Sequence, residues 1–215
     1  MDEYHKIQTV WLRDPETRHK HLLEGEWAKP EFRLLADCNW IFTEKVDGTN
    51  VRLIRDNREV RGKTDAAQIH PGLLGACQEI VNSPAFAELP ESMVLYGEGY
   101  GEKVQKGGGN YREGQGFVLF DVFCDMWLER SSVEEIGAQL GCPVVPIIGS
   151  GTLHEMVRRV RGNLGSTWGD FQAEGIVARP EVELLNRRGE RVITKLKRKD
   201  FAPAAASSPG APGSR

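Results

Sequence analysis

The chain has 215 residues, 40% of them apolar, which is enough for one large domain with a real hydrophobic core. Its 28 basic and 31 acidic side chains leave a net charge of -3, which argues against a protein that coats nucleic acid by bulk charge. No apolar run approaches the roughly 18 residues of a membrane span, and the amino terminus lacks the pattern of a signal peptide. We therefore expect a cytoplasmic protein without membrane contact.

The four cysteines are widely spaced and form no C-x-x-C pair. This pattern fits neither a zinc site nor a dense disulfide scaffold. We expect reduced thiols that are mostly buried as small apolar side chains.

Most of the sequence reads as short strands joined by tight turns. Segment 40–45 is separated from 51–55 by Asp47-Gly48, a strong turn pair, and a second turn leads to 59–61. This spacing predicts three consecutive antiparallel strands. Apolar or alternating runs predict six further strands, and the last two of these flank a hairpin signal at 186–189. These further strands are 93–96, 116–123, 144–148, 175–179, 182–185 and 191–196.

Three other segments carry apolar residues at helical spacing. They are 73–81, 133–140 and about 153–160. Ser131 and Ser132, followed by Glu134 and Glu135, read as a capping box at the start of the second helix. Because strands outnumber helices and are mainly linked by hairpins, the sequence favours an α+β class with mainly antiparallel sheets and flanking helices.

The final fourteen residues, 202–215, have small side chains and three prolines. Such a segment cannot repay the entropy of ordering, so it predicts a disordered tail. We therefore expect one domain over residues 1–201.

A lysine is the last residue of one of the predicted strands. Lys45 ends the strand 40–45 immediately before the Asp47-Gly48 turn, where it can point into a cleft. Taken alone, this pattern is most often an ordinary hairpin with a solvated lysine. Lys195 and Lys197 lie two apart on another predicted strand, so their ammonium groups share one sheet face. If that face borders Lys45, the two cations disfavour its protonated form and favour a nucleophilic amine.

These lysines belong to an ordered set of motifs. The set resembles the nucleotidyltransferase signature shared by ATP-dependent RNA ligases, DNA ligases and capping guanylyltransferases. The blocks that carry the resemblance are, in order, Lys45–Asn50, Gly97–Gly101, Phe117–Asp121, Glu174–Val177 and Lys195–Lys197. Two flanking segments, 6–9 and 103–111, are most similar to the RNA ligase 2 type.

The resemblance implies a nucleotidyltransferase adenylation domain of the ATP-grasp-like ligase kind. It implies that Lys45 takes AMP from ATP, that Lys195 and Lys197 stabilise phosphate charge, and that Glu174 is a catalytic carboxylate that holds Mg²⁺. It also implies a set of nucleotide-binding residues. These are Glu44, Asp47, Asn50, Arg61, Glu98, Phe120, Lys195 and Lys197.

The chemistry of individual positions agrees with these roles. Glu98 lies among glycines that let a ligand approach the backbone, and its carboxylate can accept a hydrogen bond from a ribose hydroxyl. Phe120 can stack on a purine, whereas Phe117 lies on the opposite face of the same strand and is expected to be core. Arg61 belongs to a shorter motif, and Arg52 is a competitor for its role.

We interpret the chain as an RNA ligase that self-adenylylates and joins a 5′-phosphate end of RNA to a 3′-hydroxyl. Nicked duplex is an open alternative substrate, and a monomer is expected. The basic stretch from Arg187 to Lys199 predicts contacts with the nucleic-acid backbone. Relatives usually continue into a second domain, whereas about eighteen residues follow Lys197 here, so self-adenylylation is the firmer expectation. The alternatives are a DNA ligase, a capping guanylyltransferase and a catalytically silent RNA-binding module.

Overall fold

The computed structural model describes residues 3–201 of the chain. Within this range the chain forms twelve strands, five α-helices and two 3-10 turns. The strands are β1 (Gln8–Thr9), β2 (Trp11–Arg13), β3 (Leu22–Trp27), β4 (Trp40–Lys45), β5 (Thr49–Ile54), β6 (Glu59–Gly62), β7 (Val94–Gly101), β8 (Gln115–Cys124), β9 (Met126–Trp127), β10 (Ile147–Gly151), β11 (Gly175–Pro180) and β12 (Thr194–Lys197). The helices are α1 (Pro30–Leu34), α2 (Pro71–Val81), α3 (Pro84–Ala87), α4 (Arg130–Leu140) and α5 (Leu153–Arg161). The 3-10 turns are Gly108–Asn110 and Arg198–Phe201.

Two five-stranded sheets organise these elements. Sheet 1 has the strand order β1-β12-β11-β4-β10, and sheet 2 has the order β6-β5-β7-β8-β9. A separate hairpin consists of β2 and β3. All strand pairs in the two large sheets are antiparallel except β1 with β12. The predicted α+β class with mainly antiparallel sheets is therefore confirmed.

Each sheet has its own hydrophobic core on its outer side. The buried face of α5, which includes Leu153, Met156 and Val160, packs with Phe42 and Ile176 of sheet 1. Helices α2 and α4 cover sheet 2 in the same way, with their buried side chains in one cluster with strand residues of that sheet. The inner faces of the two sheets are thereby left to form a cleft.

The expected hairpin between 40–45 and 51–55 is wrong. Strand β4 pairs with β10 and β11 in sheet 1, whereas β5 pairs with β6 and β7 in sheet 2. The Asp47-Gly48 turn therefore carries the chain from one sheet to the other. A Cβ on Gly48 would collide with the carbonyl oxygen of Gly99, so this crossing requires glycine. The turn residues were recognised correctly, but local sequence does not say which strand is the partner.

Two smaller expectations are also corrected. Segment 182–185 forms no strand and contributes one isolated bridge, between Leu185 and Arg191. The expected serine capping box of α4 is absent, because the helix begins earlier, at Arg130, with Glu129 as its N-cap. A capping box does occur on α5, where the side chains of Thr152 and Glu155 bond each other's backbone amides.

The cysteines differ in burial. Cys77 and Cys142 are buried, Cys124 is half-buried and Cys38 is exposed, and all four are free thiols. No helix within residues 3–201 is long and apolar enough to cross a membrane. The predicted tail, 202–215, lies outside the described residues.

Candidate active site

The cleft between the sheets contains a cavity of about 290 Å³ to which both sheets contribute side chains. We call it the nucleotide-sized cavity. It brings together seven of the ten residues singled out in the sequence. These are Glu44, Lys45, Asn50, Glu98, Phe120, Lys195 and Lys197.

The turn between the sheets positions Lys45. The residue ends β4, and the buried Val46 that follows fixes the backbone before the chain crosses to β5. The amine of Lys45 lies 2.6 Å from one carboxylate oxygen of Glu174, and the amine of Lys197 lies 2.5 Å from the other. These three side chains, which we call the ion triad, join the ends of β4 and β12 to the residue that precedes β11.

The expectation that neighbouring cations depress the pKa of Lys45 is wrong. Burial works against the charge of Lys45, but the carboxylates of Glu98 and Glu174 outweigh burial and raise its pKa. The depressed pKa belongs to Lys195 instead, because burial and the neighbouring charges of Lys45 and Lys197 lower it to about 8. Lys45 is therefore an ammonium held by Glu174.

Glu98 lies on β7 opposite Asn50 of β5. Burial raises the pKa of Glu98 to about 7, and the positive charge of Lys45 only partly offsets that effect. Within residues 3–201, the side-chain oxygen of Asn50 is buried without a hydrogen-bond partner. A buried polar atom without a partner is costly, so this part of the cavity is suited to a polar ligand.

A β-bulge places Phe120 in the cavity. In the pairing of β7 with β8, Tyr96 lies opposite Asp121 and Gly97 lies opposite Leu119, so Phe120 is the extra residue. Bulges often redirect a side chain next to a functional site. Phe120 is half-buried and lines the cavity, whereas Phe117 is 3% exposed and belongs to the outer core of sheet 2.

Glu44 is fixed by a loop that sequence reasoning missed. Its carboxylate accepts hydrogen bonds from the hydroxyl of Ser166 at 2.5 Å, from the amide of Thr167 at 2.8 Å and from the hydroxyl of Thr167 at 2.7 Å. These bonds orient a buried carboxylate beside the cavity. Because the two partners lie more than 120 positions away, no local signal connects them to Glu44.

The amino-terminal segment Tyr4–Ile7 forms another wall of the cavity, and Lys63 contributes an exposed cation. The hydroxyl of Tyr4 donates to Asp121 at 2.5 Å, and the rings of Tyr4 and Phe120 meet edge to face at 5.0 Å. The sequence showed the resemblance of 6–9 but gave no reason to single out Tyr4 or Lys63.

Three of the ten residues do not line this cavity. Arg61 pairs with Glu59 on the edge strand β6 and lines a different surface pocket, and its competitor Arg52 is fully buried and bonded to Asp65. Arg61 therefore stays a prediction as a nucleotide-binding residue. It lies on the same face of sheet 2 as Arg52, but its guanidinium pairs with Glu59 outside the cavity. The other two, Asp47 and Glu174, line a second cavity next to the first.

A family model for RNA ligases matches residues 39–197, about three quarters of the chain. The chain belongs to the RNA ligase family. The matched range includes all ten singled-out positions. A search among curated proteins finds no match for this RNA ligase family member.

Solved structures support the same fold. The RNA ligase of Naegleria gruberi with pyrophosphate has a TM-score of 0.64 and 17% identity, covering 92% of this chain and 56% of its own. A variant of that ligase with ATP and Mn has a TM-score of 0.61 and 19% identity, covering 78% of this chain and 52% of its own. The family member described here thus spans about half the length of these structures. At sequence identities of 17% and 19%, this structural similarity establishes the fold alone.

Proposed function

We propose that the protein is an ATP-dependent RNA ligase that forms a lysyl-AMP and joins a 5′-phosphate end of RNA to a 3′-hydroxyl. The observation that carries the proposal is the convergence of Lys45, Lys195, Lys197 and Phe120 on one cavity between the sheets. The solved neighbour with ATP and Mn supports ATP and a divalent metal. A cytoplasmic monomer is part of the same proposal.

The residues have distinct tasks in this reaction. After losing its proton, the amine of Lys45 attacks the α-phosphorus of ATP, and pyrophosphate leaves. Lys195 and Lys197 offset phosphate charge while Phe120 stacks on the adenine. The AMP then passes to a 5′-phosphate, and a 3′-hydroxyl displaces it to seal the strand.

Glu174 is the residue that would hold Mg²⁺. Within residues 3–201 no group of three or more His, Cys, Asp or Glu side chains could hold a metal ion. A single carboxylate still fits Mg²⁺, because this ion usually keeps several waters and takes other ligands from phosphate oxygens. When bound, it would supply charge neutralisation at the phosphates.

Labelled nucleotides test this function. The protein is incubated with ATP or GTP labelled on the α-phosphate, and acid-labile label on the protein is measured. We expect transfer from ATP, loss of transfer in Lys45→Ala, and normal transfer in the exposed control Lys20→Ala. Joining of RNA and DNA ends is then compared.

The alternatives give different results. Transfer from GTP would indicate a capping guanylyltransferase, and joining of DNA but not RNA would indicate a DNA ligase. No transfer from either nucleotide by a folded protein that binds RNA would indicate a binding module.

A further inference from the structure

The residue before Lys45 carries a carboxylate that points away from the nucleotide-sized cavity. Lys45 faces this cavity, and successive side chains of a strand point to opposite faces of the sheet. Glu44 therefore lies on the outer face of sheet 1, the face on which Phe42 packs against α5. Its register partner on β11 is Ile176, which belongs to the same outer core. Glu44 thus borders the cavity with its backbone, while its carboxylate is directed to the other side of the sheet.

The carboxylate of Glu44 has dedicated partners on that outer face. A buried charge is costly unless hydrogen bonds satisfy it, and Glu44 is only 1% exposed. Three hydrogen bonds reach its two oxygens, and all three come from the consecutive residues Ser166 and Thr167. The hydroxyl of Ser166 also accepts a hydrogen bond from the amide of Trp168 at 3.1 Å, which orients this hydroxyl toward Glu44.

The two hydroxyl residues belong to the loop 164–173 between α5 and β11. We call this segment the anchor loop. Its ends, Leu164 and Ala173, are buried in the outer core of sheet 1, and the amide of Ala173 donates to the carbonyl of Leu164 at 2.9 Å. Because the base of the loop is fixed in the core, its hydroxyls hold Glu44 at a defined place.

The anchor loop also reaches Lys45 from two further directions. Trp168 packs on the aromatic cluster that buries Val46, and its ring centroid lies 5.1 Å from that of Tyr100. Glu174 follows the loop directly and accepts the hydrogen bond from the amine of Lys45 at 2.6 Å. The residues on both sides of Lys45 and its own amine are therefore held by one segment of the chain.

We propose that Ser166 and Thr167 are positioning residues for AMP transfer, which act through Glu44 on the backbone of Lys45. The amine must lie within attack distance of the α-phosphorus, and a misplacement of about 1 Å can cost about 100-fold in rate. Loss of both hydroxyls leaves Glu44 buried with one partner, so the end of β4 shifts and the rate falls. ATP affinity stays the same, because neither residue lines the cavity. This role rests on the proposed function and adds residues outside the cavity to it.

Matched variants of the anchor loop test this role. Thr167→Val keeps the shape of the side chain but removes the hydroxyl, Thr167→Ser keeps the hydroxyl, and Ser166→Ala/Thr167→Val removes both hydroxyls. The maximal rate of transfer from labelled ATP is measured in a single turnover, and affinity is measured by calorimetry with the α,β-methylene analogue of ATP. We expect the rate to fall at least threefold in Thr167→Val and at least tenfold in the double variant. Thr167→Ser should keep the wild-type rate, and affinity should stay within twofold in all three.

Thr152→Ala is the control for a general loss of stability. It removes the hydroxyl that caps α5, next to the end of sheet 1 where β4 begins. We expect a lower unfolding temperature with the wild-type rate of transfer. Equal slowing in Thr152→Ala and in Ser166→Ala/Thr167→Val would overturn the proposal. A weaker affinity at an unchanged maximal rate in the double variant would also overturn it, because the carboxylate of Glu44 would then act on the nucleotide.

Hydrogen exchange adds a measurement that does not depend on ATP. The amides of residues 43–47 should exchange at least tenfold faster in Ser166→Ala/Thr167→Val and at the wild-type rate in Thr152→Ala. Unchanged exchange in the double variant would reject the positioning role alone, whereas absence of label from ATP on the wild-type protein would reject the proposed function. Because Thr167 is exposed, Thr167→Val takes the place of the double variant in every measurement if the latter does not fold.

Discussion

The two ends of the cleft hold carboxylates whose pKa values are shifted in opposite directions. Asp121 on β8 is fully buried, yet Arg179 and Arg191 hold its pKa below the ordinary value in spite of that burial. Its oxygens lie 3.0 Å from Arg179 and 2.7 Å from Arg191, and Tyr4 donates a further hydrogen bond. We call this set the closed end. It ties sheet 2 to sheet 1.

Glu98 lies on the neighbouring strand β7, and we call its surroundings the open end. Within residues 3–201 it makes neither a side-chain hydrogen bond nor an ion pair with N···O within 4.0 Å, and burial raises its pKa to about 7. A carboxylate with all its partners stabilises a fold, whereas one without partners is available to a ligand. Desolvation acts to raise the pKa of both carboxylates, so desolvation does not separate them. The number of partners does.

The largest expected effect is at the closed end. Asp121→Asn removes the negative charge that two arginines share, so it should lower the free energy of unfolding by about 3–5 kcal/mol. Denaturant unfolding followed by circular dichroism measures this. The exposed pair on α4 provides the control, and Glu134→Gln should change stability by less than about 1 kcal/mol. Similar losses in both variants would mean that the closed end is no more important than a surface pair.

A smaller, pH-dependent effect is expected at the open end. The folded pKa of Glu98, about 7, lies above its ordinary value of 4.5, so the folded state binds a proton that the unfolded state has lost. The stability of the wild-type protein should therefore decline as the pH rises from about 4.5 to 7, relative to Glu98→Gln. Lys45, Glu174, Lys197 and Asp47 are the charged groups that act on Glu98.

Thermal unfolding at several pH values tests this prediction. Near pH 5 we expect the wild-type protein and Glu98→Gln to unfold at similar temperatures. At pH 8 the variant should be more stable by about 2 kcal/mol, because it no longer buries a charge. The same variant should transfer less AMP from ATP. A constant difference between the two proteins across this range would show that Glu98 titrates normally.

The smallest expected effects, on ATP affinity and on stability, distinguish the roles of two phenylalanines on β8. Phe120→Leu should weaken ATP binding by about 1 kcal/mol, because it removes a stacking surface from the cavity. Phe117→Leu should leave ATP binding unchanged and lower stability by about 1 kcal/mol, because it alters the core of sheet 2. Calorimetric titration with ATP and thermal unfolding of both variants measure the contrast. If both lose only stability, Phe120 is a packing residue.

The sequence by itself determined the class of fold, and it singled out seven residues that the structure brings to one cavity. Strand β4 was predicted with the bounds that the structure shows, and helix α5 was predicted to within one residue. The alternation of strand β8 placed Phe117 and Phe120 on opposite faces, and the family resemblance assigned only Phe120 to the nucleotide. These features depend on short-range periodicity and turn residues, which are local properties of the chain.

Only the tertiary structure decided which elements meet. The Asp47-Gly48 turn signal is equally compatible with a hairpin and with a crossing between sheets, and the choice depends on strands far along the chain. The expected basic stripe illustrates the same limit. Arg191 is buried in the closed end, Lys197 lies in the ion triad, and Arg187 lies on a surface near α1. Charges that are adjacent in sequence are separated by folding, because contacts over long distances determine where each side chain points.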